Sequence, residues 1–285
     1  MTIFSNPDWI KPYEYPYESL DQVPQTVFDD INARLDKCIS RNPLVSIVIA
    51  AYNEEINLIR AIGTLSATET EIPFDIIVIN NNSSDRTQET MDKLHIKRLF
   101  QPIQGCGPAR QLGQEHSTSQ YILLADADCL YPKNWLNEMM EKLIQPGVVC
   151  VYGRYSFIAP SDIPRWQFFV HETLKDVMAE IRHVKRPYLN AYGISMGYVR
   201  EAGLKAGYIT HNTRGDDGRL CFDMMQYGRV VQMKTNSARV WTGPRTILQE
   251  GTLMHGLKTR IGKELKRAFS YLFPHPPHDT KTSHN

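Results

Sequence analysis

Short apolar runs rich in β-branched residues recur along the first half of this chain, each followed by a segment with helical spacing. Residues 44–51 (LVSIVIAA), 74–79 (FDIIVI) and 121–125 (YILLA) read as buried strands, the first of them buried on both faces, and residues 148–152 (VVCVY) read as a further strand. Residues 96–100 form a weaker strand. Helices are expected over 53–64, 85–94, 107–117 and 134–144, with Asp85 placed to cap the second of them. Strands alternating with helices at this spacing predict an α/β fold: a doubly wound, mostly parallel sheet with helices on both faces. Such sheets bind ligands beyond the carboxyl ends of their strands. Three polar clusters fall there: Tyr52–Glu54, Asn80–Asp85 and Asp126–Asp128.

The flanks have a different character. Residues 2–25 are dense in proline and aromatics, which opposes regular helix and predicts an extended arm pinned by tyrosine and tryptophan. A short helix follows over 25–40, with Val27, Ile31, Leu35 and Ile39 on one face. Together, residues 1–42 form a preface to a main domain at 43–245. Further helices are expected at 165–182 and at 218–227, the latter opening just after Asp216-Asp217. Residues 256–273 are basic and amphipathic, and residues 274–285 read as a disordered tail.

Composition narrows the function. The chain has 285 residues, 42% of them hydrophobic, enough for a substantial core without cross-links. A formal charge of +1 argues against a nucleic-acid partner. The five cysteines, Cys38, Cys106, Cys129, Cys150 and Cys221, are odd in number and scattered, which suits a reduced, cytoplasmic protein. No run of 18 apolar residues predicts a membrane span. Lys258, Arg260, Lys263, Lys266 and Arg267 would give the 256–273 helix a route to peripheral contact with an anionic membrane face.

Asp126-Ala127-Asp128 is the first candidate for chemistry. Residues two apart at a strand end share a side, so both carboxylates can enter one crevice and offer hard oxygen ligands to Mg2+ or Mn2+. A lone D-x-D arises by chance in a chain of this size; its position after a buried strand gives it weight. Asp216-Asp217 would serve either as helix-start acids or as a general base, each raising the other's pKa. Gly105-Cys106-Gly107-Pro108-Ala109-Arg110 lacks the third glycine of a dinucleotide-binding turn, although Pro108 suits a first helical turn, and Arg110 would either meet a phosphate or sit in solvent.

Six stretches taken together resemble the family-2 glycosyltransferases, which have the nucleotide-diphospho-sugar transferase (GT-A) fold. They are SIVIAAYNEE (46–55), FDIIVINNNSSDRT (74–87), GCGPARQLG (105–113), YILLADADCLYP (121–132), GISMGYVREAGLKAGY (193–208) and GDDGRLCFDMMQYG (215–228). The resemblance implies a nucleotide-binding half at 43–130 and an acceptor half at 131–245. Ala51, Tyr52 and Glu54 would line the nucleotide pocket, Asn80 and Asn81 would face the base, and Arg110 would lie near the nucleotide. Asp126 would reach the ribose or the metal, Asp128 would bind the metal, and Asp217, with Asp216 beside it, would act as base in an inverting transfer. His255 is the candidate third metal ligand. The chain departs from the family in ending its second strand with Asn80-Asn81-Asn82 where two acids are usual. UDP is the expected donor nucleotide, with GDP and dTDP left open, and the acceptor is expected to be a carbohydrate or lipid-linked hydroxyl. Two rivals share the fold: a sugar-phosphate nucleotidyltransferase, which would need a Gly-rich, Arg-containing loop where this chain reads AAYNEE, and a non-catalytic nucleotide-sugar-binding protein.

Overall fold

The computed structural model describes residues 3–209 and 215–244. His255, the amphipathic segment 256–273 and the tail 274–285 lie outside the described residues.

A seven-stranded sheet organises the chain, in the order β3-β2-β1-β4-β8-β6-β9. Its first four strands, β1 (Val45–Ala51), β2 (Phe74–Asn80), β3 (Lys97–Phe100) and β4 (Tyr121–Asp126), are mutually parallel. Strand β8 (Met196–Val199) runs antiparallel to both β4 and β6 (Val148–Tyr152), while β9 (Arg229–Gln232) pairs parallel to β6. One strand in seven is therefore reversed, and the sheet is mostly parallel as expected. A second sheet holds three short strands in the order β5 (Cys129–Leu130), β10 (Val240–Thr242) and β7 (Tyr155–Phe157), of which β5 comes next after β4 in the chain.

The strands' period of two sends alternate residues to two cores. Val45, Ile47 and Ile49 of β1 join Ile76 and Val78 of β2 on one face. That face is covered by α1 (Gln25–Cys38), α2 (Asn57–Leu65), α3 (Thr87–Asp92) and α5 (Trp135–Leu143). Val48, Ile77 and Ile79 point the other way, under α4 (Cys106–His116), α7 (Arg200–Ala206) and α8 (Asp216–Met224). Burial on both faces explains why these strands are continuous apolar runs. The long helix α6 (Arg165–Lys185) braces the small sheet, with Glu172 accepting from Phe157 N–H at 2.8 Å and from Arg165 at 2.7 Å.

Several local expectations shift. Helix α2 begins four residues later than the apolar spacing indicated, because Asn53 adopts a left-handed conformation (φ 55°) and its side-chain oxygen accepts from Ser84 N–H at 2.8 Å. The proline-rich arm avoids α-helix but is not simply extended: residues 8–13 and 20–22 form 3₁₀ turns. Helix α8 includes Asp216 and Asp217 in its first turn instead of starting after them, since Gly215 (φ 97°) supplies the turn into the helix. Among the described residues, no helix is long and apolar enough to cross a membrane.

Candidate active site

The carboxyl ends of β1, β2 and β4 open onto one rim, and helices α4 and α8 start beside it. Arg110, one turn into α4, is the centre of the arrangement. Its side chain is only 6% exposed, and it reaches Asp126 Oδ1 through Nη2 at 2.8 Å and Asp217 Oδ1 through Nη1 at 2.7 Å. Residues from three distant stretches of sequence thus meet at one guanidinium. Burial opposes the charge on Arg110, but Asp217 and Asp126 outweigh it and hold its pKa well above the ordinary value.

Each carboxylate has its own setting. Asp217 Oδ2 accepts from Gly193 N–H at 2.7 Å, so both of its oxygens are engaged. An ionised carboxylate offers about four lone-pair positions, so these contacts orient Asp217 without exhausting it. Asp216 faces elsewhere: its Oδ2 accepts from Gly107 N–H at 3.1 Å and ties the start of α8 to the start of α4. The near partner of Asp217 is Arg110, not the adjacent acid. Asp126 leaves 34% of its side chain accessible. Burial pushes that carboxyl up to about 6; Arg110 opposes the rise, and Asp128 and Asp217 add to it.

Asp126, Asp128 and Cys129 bring ligand atoms within 4.8 Å of one another. The Cys129 thiol is buried, burial drives its pKa well up, and it donates to Asp128 Oδ1 at 3.3 Å. The donor set on offer is therefore the pair of carboxylates, which fits a hard divalent cation such as Mg2+ or Mn2+.

The remaining candidates line or shape the rim. Tyr52 is 48% exposed at the end of β1, beside buried Ala51. Glu54 is half-buried, with its N–H donating to Thr87 Oγ1 at 2.8 Å and its Oε2 accepting from Asn57 at 2.7 Å. Asn80 and Asn81 are buried and committed inward. Asn80 accepts from Ser83 N–H at 2.9 Å and donates to Gln88 at 2.8 Å; Asn81 accepts from Gly105 N–H and donates to the Ile103 carbonyl, both at 2.7 Å. Their amides fix the loops of the rim.

Two participants escaped the sequence reading. Gly193 donates its N–H to Asp217, and a Cβ there would lie 2.0 Å from Arg110 Nη2. Tyr131 is buried, its Oη accepts from Asp126 N–H at 2.7 Å, and it donates to the Ile194 carbonyl at 3.2 Å. A tyrosine a short way past an acid-bearing strand end was the available signal for Tyr131; nothing local marked the contact of Gly193.

Known proteins resemble this chain in sequence and in fold. Glycosyltransferase AglE of Haloferax volcanii is 27% identical over 149 residues, which make up 48% of this chain and 49% of AglE. The chain thus spans about half the length of that relative. Mannosyltransferase PcManGT from Pyrobaculum calidifontis, solved in complex with GDP-Man and Mn2+, matches with a TM-score of 0.55 at 17% identity, over 88% of this chain and 72% of that one. Glucosyl-3-phosphoglycerate synthase from Mycobacterium tuberculosis, solved with Mn2+, UDP and phosphoglyceric acid, matches with a TM-score of 0.52 at 15% identity, over 88% of this chain and 85% of that one. At these identities the structural likeness shows the fold. The family model for glycosyl transferase family 2 matches residues 46–202, more than half of the chain. The chain belongs to glycosyl transferase family 2.

Proposed function

We propose that this chain is an inverting glycosyltransferase that moves a sugar from a nucleoside-diphosphate donor, a UDP-sugar first among them, to a carbohydrate or lipid-linked hydroxyl. The observation that carries the reading is the convergence of Asp126 and Asp217 on Arg110, with Asp128 two residues beyond. The GDP-Man and Mn2+ of PcManGT and the UDP and Mn2+ of the phosphoglycerate synthase support the donor class and the metal.

A divalent ion on Asp126 and Asp128 would supply neutralising charge for the departing diphosphate. Asp217 removes the acceptor hydroxyl's proton as the hydroxyl oxygen bonds to the anomeric carbon. The bond from that carbon to the diphosphate oxygen breaks in the same step, and its electron pair leaves with the diphosphate. In-line attack inverts the anomeric centre. Gly193 N–H and Arg110 keep Asp217 aimed throughout, and Tyr131 holds the backbone of Asp126. Tyr52, Ala51 and Glu54 line the nucleotide side, and Asn80 and Asn81 shape it by holding its loops. Peripheral membrane contact through residues 256–273 belongs to the same proposal, with liposome sedimentation as its test.

Thermal shift against UDP-, GDP- and dTDP-sugars, with and without Mn2+, tests the reading, since a ligand of the folded state raises the melting temperature. The expected result is a Mn2+-dependent rise for at least one donor, followed by release of its nucleoside diphosphate on turnover. A panel that neither stabilises the protein nor turns over would count against it.

A further inference from the structure

Arg110 is not explained by nucleotide contact alone. Its guanidinium is almost wholly enclosed, its Nε is buried without a hydrogen-bond partner, and it lies against Gly193, where no side chain could fit. Such a charge is costly to bury unless it is paired. Here the pairing is with the two acids the proposed chemistry needs, one on the metal side and one on the base side. Three carboxyl groups, those of Asp126, Asp128 and Asp217, gather round a single guanidinium, which leaves the cluster room for a further cation.

We infer that Arg110 is the resident counter-cation of this acid cluster, a positioning residue that keeps Asp217 aimed while it competes with the divalent ion for Asp126. The inference rests on the proposed metal site at Asp126 and Asp128. Arg110 lowers the affinity of the free protein for the ion, because a unit positive charge already paired with one of the would-be ligands would weaken binding by on the order of tenfold or more. In its place the acids would repel one another, and Asp217 would lose the contact that fixes Oδ1. The protein therefore holds its base and its metal carboxylate in register before any ion arrives.

The sign of one measurement separates this role from a merely structural one. Damage to the site weakens metal binding; loss of a competing cation strengthens it. Calorimetric titration of the metal-free full chain with MnCl2 is expected to show affinity at least about tenfold tighter in Arg110→Met than in wild type. Arg110→Lys, which keeps the charge, stays within about threefold of wild type. Adding Asp126→Asn to Arg110→Met removes the gain. Should Arg110→Met fail to fold by circular dichroism, Arg110→Gln carries the same expectation. A folded charge-removing variant with unchanged or weaker Mn2+ affinity overturns the inference while leaving the metal site standing. Absence of Mn2+ binding in wild type and variants alike overturns the metal site, and the inference with it.

Discussion

The phenol oxygen of Tyr131 lies 2.7 Å from the backbone nitrogen of Asp126 and accepts its hydrogen bond, while the phenol proton goes to the carbonyl of Ile194. One side chain therefore ties the strand end that carries Asp126 to the turn whose Gly193 N–H holds Asp217. Tyr131→Phe keeps the ring but leaves two backbone groups without this partner. The expected cost is about 1–3 kcal/mol, since a buried unpaired polar group loses its full solvation. In a domain of this size that lowers the melting temperature by roughly 2–4 °C per kcal/mol. An unchanged melting temperature would show that the phenol is not needed there.

Asp128 has a separate task. Asp128→Ala should abolish the rise in melting temperature that Mn2+ produces in wild type, because an ion that binds only the folded state stabilises by mass action. The melting temperature without metal should stay close to wild type. An Mn2+-dependent rise that survives in Asp128→Ala would move the metal elsewhere.

Gly193 is constrained by proximity and not by its dihedral angles. A Cβ 2.0 Å from Arg110 Nη2 forces the guanidinium or the turn to move. Gly193→Ala is expected to destabilise by about 1–3 kcal/mol, as overpacking does, and to lower turnover by displacing Arg110 from Asp217. Differential scanning fluorimetry and nucleoside diphosphate release check the two effects.

The legibility of the sequence followed the range of the interactions. Strands β1, β2 and β4 were readable because burial on both faces turns each into a continuous apolar run. Asp126 and Asp128 were readable because a strand end is where such sheets bind ligands. Arg110 as the bridge between Asp126 and Asp217 was not, because the contact spans 107 residues on one side and 16 on the other. The reversal of β8 was hidden for the same reason: its antiparallel partners in β4 and β6 are non-local. Asn80 and Asn81 suited a base-facing role by position, and their inward hydrogen bonds could be read only from the folded loops.

Lys175 gives a pH signature away from the site. Its Nζ donates to the Tyr155 carbonyl at 2.6 Å, and burial lowers its pKa from 10.5 to about 7, with Asp176 opposing the shift. The unfolded chain keeps this proton up to the ordinary lysine range and the folded chain releases it near 7. The unfolded state therefore binds more protons between those values, and stability contributed by Lys175 rises with pH across that window. Melting temperatures from pH 7 to 9.5 should climb less steeply in Lys175→Met than in wild type. Equal slopes would place the group in water.

The proposed role of Asp217 as the base is open to a direct test. With the donor identified by the nucleotide-sugar panel, turnover and nucleotide affinity of Asp217→Asn are to be measured side by side with Mn2+ present. The amide preserves the shape of the side chain but cannot take the acceptor's proton. The expected result is a loss in kcat of about a hundredfold or more, with nucleoside diphosphate affinity within about threefold of wild type. Turnover at the wild-type rate in Asp217→Asn would rule out Asp217 as the base.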